Sequence, residues 1–227
     1  MMTIKSFCVN IKHENTYVVY DDTRECVIID CGCFGLHELY DLTTFIDGHG
    51  LMVKRLLCTH FHLDHTFGND FVWFRYGVRA EANEADRILC ELMHYQAVAF
   101  GLDEDKLNIP SPAYTLADGI TISFGHCTLK VVTTPGHSPG GVCLYDEKNG
   151  ILFSGDTLLK GGYGATNLPG ARLSKLYKSI TDKLFSLPDS VVVYPGHGAT
   201  TTIGEEKASN PILVDGLIQR AKKQKTE

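Results

Sequence analysis

Apolar and polar positions follow two rhythms along the 227 residues, and each change of rhythm marks an element. From Phe7 to Asp30 the pattern is that of strands: Tyr17, Val19 and their neighbours, a polar turn at Asp21-Asp22-Thr23-Arg24, then the apolar run Cys26 to Ile29. This predicts a hairpin ending at Asp30-Cys31-Gly32. Leu36, Leu39, Leu42, Phe45 and Ile46 recur at helical spacing and stop at Gly48, so a helix follows. Val53 to Cys58 then reads as a strand that delivers the polar cluster Thr59-His60-Phe61-His62-Leu63-Asp64-His65.

Ile88, Leu89, Leu92, Met93 and Tyr95 predict a helix over Asn83 to Phe100, and Pro110-Ser111-Pro112 marks an irregular connection after it. Short β runs follow at Ile120–Phe124, Thr128–Thr133, Val142–Tyr145 and Ile151–Ser154. A helical stripe through Leu173, Leu176, Ile180, Leu184 and Leu187 ends at Pro188, before the apolar strand Val191–Tyr194. This order suits an α/β fold of four layers, an αββα sandwich with two sheets face to face and helices outside. With no repeat, low-complexity stretch or linker to divide it, the chain is expected to form one domain over 1–227.

Composition narrows the function classes. Apolar residues make up 44% and charged residues 21% of the chain, and no stretch approaches the roughly 20 apolar residues of a membrane span. Met1 to Asn10 carries no secretory signal, so a cytoplasmic protein without a membrane partner is expected. A formal charge of -6, with basic residues clustered only in the tail Arg220 to Lys225, argues against a nucleic-acid partner. The eight cysteines are expected as reduced thiols. Cys8, Cys26, Cys58, Cys127 and Cys143 lie in apolar runs as small core residues, and the Cys31-x-Cys33 pair lacks the second pair of a zinc site.

The chemistry sits in the histidines. His60-x-His62-x-Asp64-His65 places four groups suited to zinc, iron or manganese within six positions. On a strand end His60 and His62 point the same way, and the following turn lets Asp64 and His65 face a second point nearby. A histidine-rich surface loop is the alternative, but three further sites share this setting. They are Pro135-Gly136-His137, Ser154-Gly155-Asp156 and Pro195-Gly196-His197, each after an apolar strand and each with glycine before the ligand, where sharp turns are easiest. Two metals about 3.5–4 Å apart sharing one oxygen lower the pKa of a bound water toward neutrality and polarise a carbonyl, which predicts hydrolysis of an ester-like bond.

These motifs resemble those of the metallo-β-lactamase fold superfamily, and within it the glyoxalase II-like hydrolases, from the first hairpin to Asn210-Pro211. The resemblance implies that His60, His62 and His137 hold a first metal, that Asp64, His65 and His197 hold a second, and that Asp156 bridges them. The implied cofactors are two divalent ions, zinc first, with iron or manganese also suited. The β-lactamases of that superfamily typically carry cysteine at the position of Asp156, so the aspartate points to a thioesterase. Its partner would be a small-molecule thioester or ester such as a hydroxyacylglutathione, with Asp64 also orienting the attacking hydroxide.

Two departures bear on the substrate. Where short relatives commonly read Gly-Arg-Thr-Asp-Leu-Pro-Gly-Gly, this chain has Gly164-Ala165-Thr166-Asn167-Leu168-Pro169-Gly170-Ala171. The joint loss of the opposite charges is read as a structural ion pair exchanged for neutral packing. The chain also stops soon after Pro211, so Lys222, Lys223 and Lys225 are read as a frayed tail rather than a glutathione grip. Helix Asn83 to Phe100 is the expected substrate wall, and Tyr163 on the glycine-rich loop is the expected substrate contact. His94 and Tyr95 are kept out of the site, His13, His37, His49 and His126 are read as non-ligands, and Trp73 is assigned to an apolar face. The rival activities are a mononuclear iron persulfide dioxygenase, a nuclease or lactonase of the same superfamily, and a metal-binding scaffold without turnover.

Overall fold

The structure is a computed structural model that describes residues 2–103 and 108–216. The basic tail falls outside the described residues. Strands β1 (Thr3–Val9), β2 (Glu14–Tyr20), β3 (Glu25–Ile29), β4 (Met52–Leu57), β5 (Ala80–Ala82) and β6 (Ala113–Tyr114) form the first sheet in that spatial order. β1 to β3 pair antiparallel, and β3 to β6 pair parallel. The second sheet runs β12 (Thr201–Thr202), β11 (Val192–Pro195), β10 (Ile151–Gly155), β9 (Val142–Asp146), β8 (Cys127–Thr133) and β7 (Thr121–Phe124).

Strands β3, β9 and β10 are buried on successive residues because they are covered on both faces. Val18 and Ile28 point outward with Leu56 onto Leu42 and Ile46 of helix α1 (Leu36–Gly48). Their neighbours Val19, Val27 and Ile29 point inward, meeting Leu129, Val131, Leu144 and Phe153 of the second sheet. On that sheet's far face, Cys143, Tyr145, Leu152 and Val193 pack against Leu176, Ile180 and Leu184. The expected αββα sandwich is therefore the observed one. Tyr17 joins the sheets edge-on to Phe153 and Tyr194, at centroid distances of 5.3 and 5.8 Å, and its hydroxyl donates to the Pro195 carbonyl at 2.6 Å.

Several elements depart from the sequence pattern. The single helix expected over Asn83 to Phe100 is instead a short 3-10 turn followed by α3 (Arg87–Glu91) and α4 (Met93–Ala99), broken at Leu92. Its Gln96 amide turns inward to hold the Phe61 and Leu89 carbonyls and the Leu63 N–H. The stripe Leu173 to Leu187 also splits, into α5 (Leu173–Lys178), a π turn and a 3-10 turn. Helix α2 (Asn69–Tyr76) carries Trp73 and Phe74 at 43% and 90% exposure, so no apolar stripe announces it. Helix α6 (Ile203–Ser209) starts at Thr202, whose hydroxyl caps the Glu205 N–H. Among the described residues no helix is long and apolar enough to cross a membrane.

The turn after β2 ties to the β7–β8 turn of the other sheet through Asp21, which accepts from the His126 and Thr23 N–H groups and the Thr23 hydroxyl. Burial opposes its ionisation, but these donors outweigh burial and bring its carboxyl down to about 2. A depressed carboxyl stabilises the fold above its unfolded-state value of about 3.8 and stops doing so as the pH falls through about 2. Asp21→Ala should therefore lower stability most near neutral pH, with the gap from the parent protein narrowing between pH about 4 and about 2. Urea titrations across that range check this.

Candidate metal centre

The seven expected ligand residues come from loops at the ends of strands in both sheets. The loop after β4 carries His60 and His62 and then a 3-10 turn with Asp64 and His65. His137 follows β8, Asp156 follows β10 and His197 follows β11. Gly155 sits at φ +49°, where a side chain would be strained and would run into Thr59. Gly196 has a different reason to lack a side chain: a Cβ there would collide with the Asp156 carboxylate and the His65 ring.

Two triplets present ligand atoms within 4.8 Å of one another: His60, His62 and His137, and Asp64, His65 and His197. Asp156 lies between them, with Oδ1 3.6 Å from His65 Nε2 and Oδ2 3.6 and 3.7 Å from the Nε2 atoms of His137 and His197. A third group joins Asp30 to His60 and His65. Asp30 is better read as support, because its oxygens already accept from the Thr59 N–H and hydroxyl at 2.7 Å each and from His65 Nδ1 at 3.0 Å.

The far nitrogens of the rings fix their tautomers. His137 Nδ1 donates to the Ala165 carbonyl at 2.8 Å, His197 Nδ1 to the Lys12 carbonyl at 3.0 Å, and His65 Nδ1 to Asp30. In their neutral forms His65 and His197 would present Nε2 lone pairs to one another across 3.2 Å. Lone pairs at that distance repel unless a proton or a metal ion lies between them. His60 Nε2 and Asp156 Oδ1 are buried at the same centre with no hydrogen-bond partner. Donor type, convergence and these orphaned atoms all fit divalent metal ions.

Burial holds His60 well below its usual pKa and lowers His62 to about 3, in each case helped by the neighbouring histidines. Both rings are thus neutral and available as ligands. Burial also opposes charge on His65, but Asp156 and Asp30 outweigh it and push His65 up. Asp64 is half-buried, which opposes its charge, yet His197 and His65 hold its carboxyl down, so it stays anionic.

Beyond Asp30, three supports were not anticipated from the sequence. Asp86, at the start of α3, accepts from the Phe61 N–H at 3.0 Å, the Ser138 hydroxyl at 3.0 Å and the Gly140 N–H, so one carboxylate spans two ligand loops. Burial raises it to about 6 against the pull of those donors. Asn10 Nδ2 donates to the Asp64 carbonyl at 2.9 Å, and buried Glu14 reaches within 3.7 Å of His65 Nδ1. Asp30 offered one faint signal, a lone acid closing an apolar strand; the others resemble ordinary turn and cap residues.

A cavity of about 490 Å³ opens over the cluster, lined in part by Leu89, Leu92, Tyr95, Phe100, Leu168 and Pro169. The segment expected as the substrate wall supplies four of these six. Tyr95, expected outside the site, lines the cavity, whereas His94 stacks on it at 3.8 Å and does not. Tyr163 is not among the lining residues: its hydroxyl donates to Asp215 at 2.6 Å and its ring packs in the outer core. Its neighbours Gly164 and Ala165 line the cavity instead. Ala165 and Asn167 are exposed, so neutral packing does not account for the loop's departure from the common pattern. Cys31 and Cys33 are buried in the α1-side core, and neither they nor His13, His37, His49 and His126 join a ligand group.

Paired sheets with a histidine and aspartate cluster across their strand ends define a metallo-hydrolase type of fold. The chain belongs to the metallo-beta-lactamase superfamily, whose family model matches residues 10–197. It is 33% identical over 213 residues to hydroxyacylglutathione hydrolase GloC of Haemophilus influenzae, covering 93% of this chain and 98% of that protein. Among solved structures, the B3 metallo-beta-lactamase BLEG-1 superposes with a TM-score of 0.80 at 31% identity, covering 93% of this chain and 99% of that one. TTHA1623, solved in a di-iron-bound form, gives a TM-score of 0.80 at 33% identity, covering 91% of this chain and 98% of that one.

Asp30→Asn keeps a side chain that tolerates the left-handed backbone at φ +49° but sets an amide where His65 Nδ1 needs an acceptor. Chelator competition should show metal affinity falling by roughly 10–100-fold, the usual cost of removing such a support.

Proposed function

We propose that the chain is a metal-dependent hydrolase of small thioesters or esters with a two-ion site. His60, His62 and His137 hold one ion, Asp64, His65 and His197 hold the other, and Asp156 bridges them. The observation that carries this reading is the pair of ligand triplets with the Asp156 carboxylate between them and its buried Oδ1 unpartnered. The likeness to GloC supports the thioester preference. Eight unpaired cysteines support a reducing, cytoplasmic setting.

When bound, two divalent ions supply Lewis acidity for the carbonyl and bring a shared water to a pKa near neutrality. The chain supplies the rest. Asp64, paired with His197 Nε2 at 3.4 Å, remains a carboxylate able to accept a hydrogen bond from the attacking water and orient its lone pair. The carbonyls of Ala165 and Lys12 and the carboxylate of Asp30 hold three imidazoles at fixed angles, so little reorganisation is needed as charge builds on the carbonyl oxygen. The C–O bond forms, the C–S bond breaks, and the thiolate leaves to take up a proton. Zinc suits this donor set first, and iron and manganese suit it as well.

Purified protein should hold near two metal ions per chain and release thiol from S-lactoylglutathione and from a simple acyl thioester without oxygen uptake. One iron per chain with oxygen uptake on a persulfide would instead assign the dioxygenase chemistry. Asp156→Ala should lose two-ion binding and thiol release together, by elemental analysis and thiol assay. Two tightly held ions in that variant would refute the bridging role.

A further inference from the structure

The cavity over the ligands is chemically lopsided. Its volume of about 490 Å³ lies within the ~300–1,000 Å³ that accepts a drug-sized ligand. Apart from the ligand groups, its polar side chains are Lys12, Tyr95 and Gln96. Gln96 is already spent, with its oxygen on the Leu63 N–H and its nitrogen on the Phe61 and Leu89 carbonyls. Among the described lining residues, Lys12 is the one lysine or arginine.

Lys12 stands at an aromatic edge. Its Nζ lies 5.2 Å from the centroid of Phe100, which packs edge-on against Phe67 at 5.7 Å, and Phe67 packs against Phe34 at 4.6 Å. The three rings lead away from the cavity, and Phe34 is 46% exposed. Position 165 is an exposed alanine on the cavity wall. Outside the ligand groups, the described walls are therefore mostly apolar and carry one side-chain cation, Lys12.

We propose that this site selects a thioester that is apolar along most of its length and carries a single carboxylate, set at Lys12. A multiply charged peptide thiol such as glutathione fits these walls poorly. It brings two carboxylates and an ammonium to walls whose described side chains supply one cation, and charges taken from water without partners are costly. An alkyl chain gains from every methylene it buries. This rests on the hydrolase reading of the site and names its substrate class.

The test separates the two claims by measuring binding with thioethers, which cannot be hydrolysed. Zinc-loaded protein is titrated calorimetrically with S-alkyl-3-mercaptopropionates from ethyl to hexyl, with the primary amide of the hexyl compound and with S-hexylglutathione. Affinity should rise approaching fourfold per methylene, the value for complete burial at ~0.8 kcal/mol. S-hexylglutathione should bind more weakly than the matched monoanion. Lys12→Gln should weaken the carboxylate ligand about fivefold and its amide less than twofold, a contrast that a merely structural loss would not give. A flat response to chain length, or tighter binding of S-hexylglutathione, overturns the proposal. The expected binding series without thiol release from the parallel thioesters would keep the substrate-class assignment and remove the hydrolase reading; thioester turnover with a flat series would do the reverse.

Discussion

Tyr17 fixes the distance and angle between the two sheets at the point where the site depends on both. It belongs to β2 of the first sheet, yet its ring packs on Phe153 and Tyr194, which lie in strands that end at Asp156 and His197. Its hydroxyl holds the Pro195 carbonyl two residues before His197. Burial raises that phenol well above its usual pKa, so it remains a neutral donor. Asn15, two residues back on the same strand, donates to the Pro195 and Gly198 carbonyls on either side of His197. A shift between the sheets would therefore move His197 and Asp156 relative to the loop that carries His60 to His65.

The apolar interface and the polar cluster are consequences of the same packing. Strands buried on both faces leave no room for polar side chains until they end, so charge and imidazole gather at one rim. There the low local dielectric makes each pairing strong and each unpaired group expensive. The centre meets that condition by assigning a partner to the rear of most rings and leaving the front atoms to converge. Asp30 and Asp86 carry much of this burden, each a buried carboxylate with three donors.

Much of this was legible in the chain because it is written in short-range pattern. Unbroken runs such as Val27 to Ile29 and Val142 to Tyr145 announced strands covered on both sides, and Leu42 and Ile46 announced a helix on one. Of the seven candidate ligands, His137, Asp156 and His197 were legible because each follows a glycine after an apolar strand, and the other four because they crowd into His60 to His65. Helix α2 was not, since its aromatic residues face outward, and β5, β6 and β12 are too short to alternate. The break at Leu92 comes one turn before a glutamine whose amide turns inward to backbone groups far off in sequence, a contact no local pattern announces. Asp86 and Asn10 act across long sequence separations through backbone partners, which leaves no residue pattern to find.

Lys12 and Ala165 share a division of labour within single residues. Each holds a ligand histidine with its main-chain carbonyl and presents its side chain to the cavity. Every amino acid brings the same carbonyl, so replacing either side chain need not release the histidine behind it. Diversification at these two positions can proceed while the candidate metal centre keeps its geometry, and a lineage can vary the pocket there without disturbing the residues that converge beneath it.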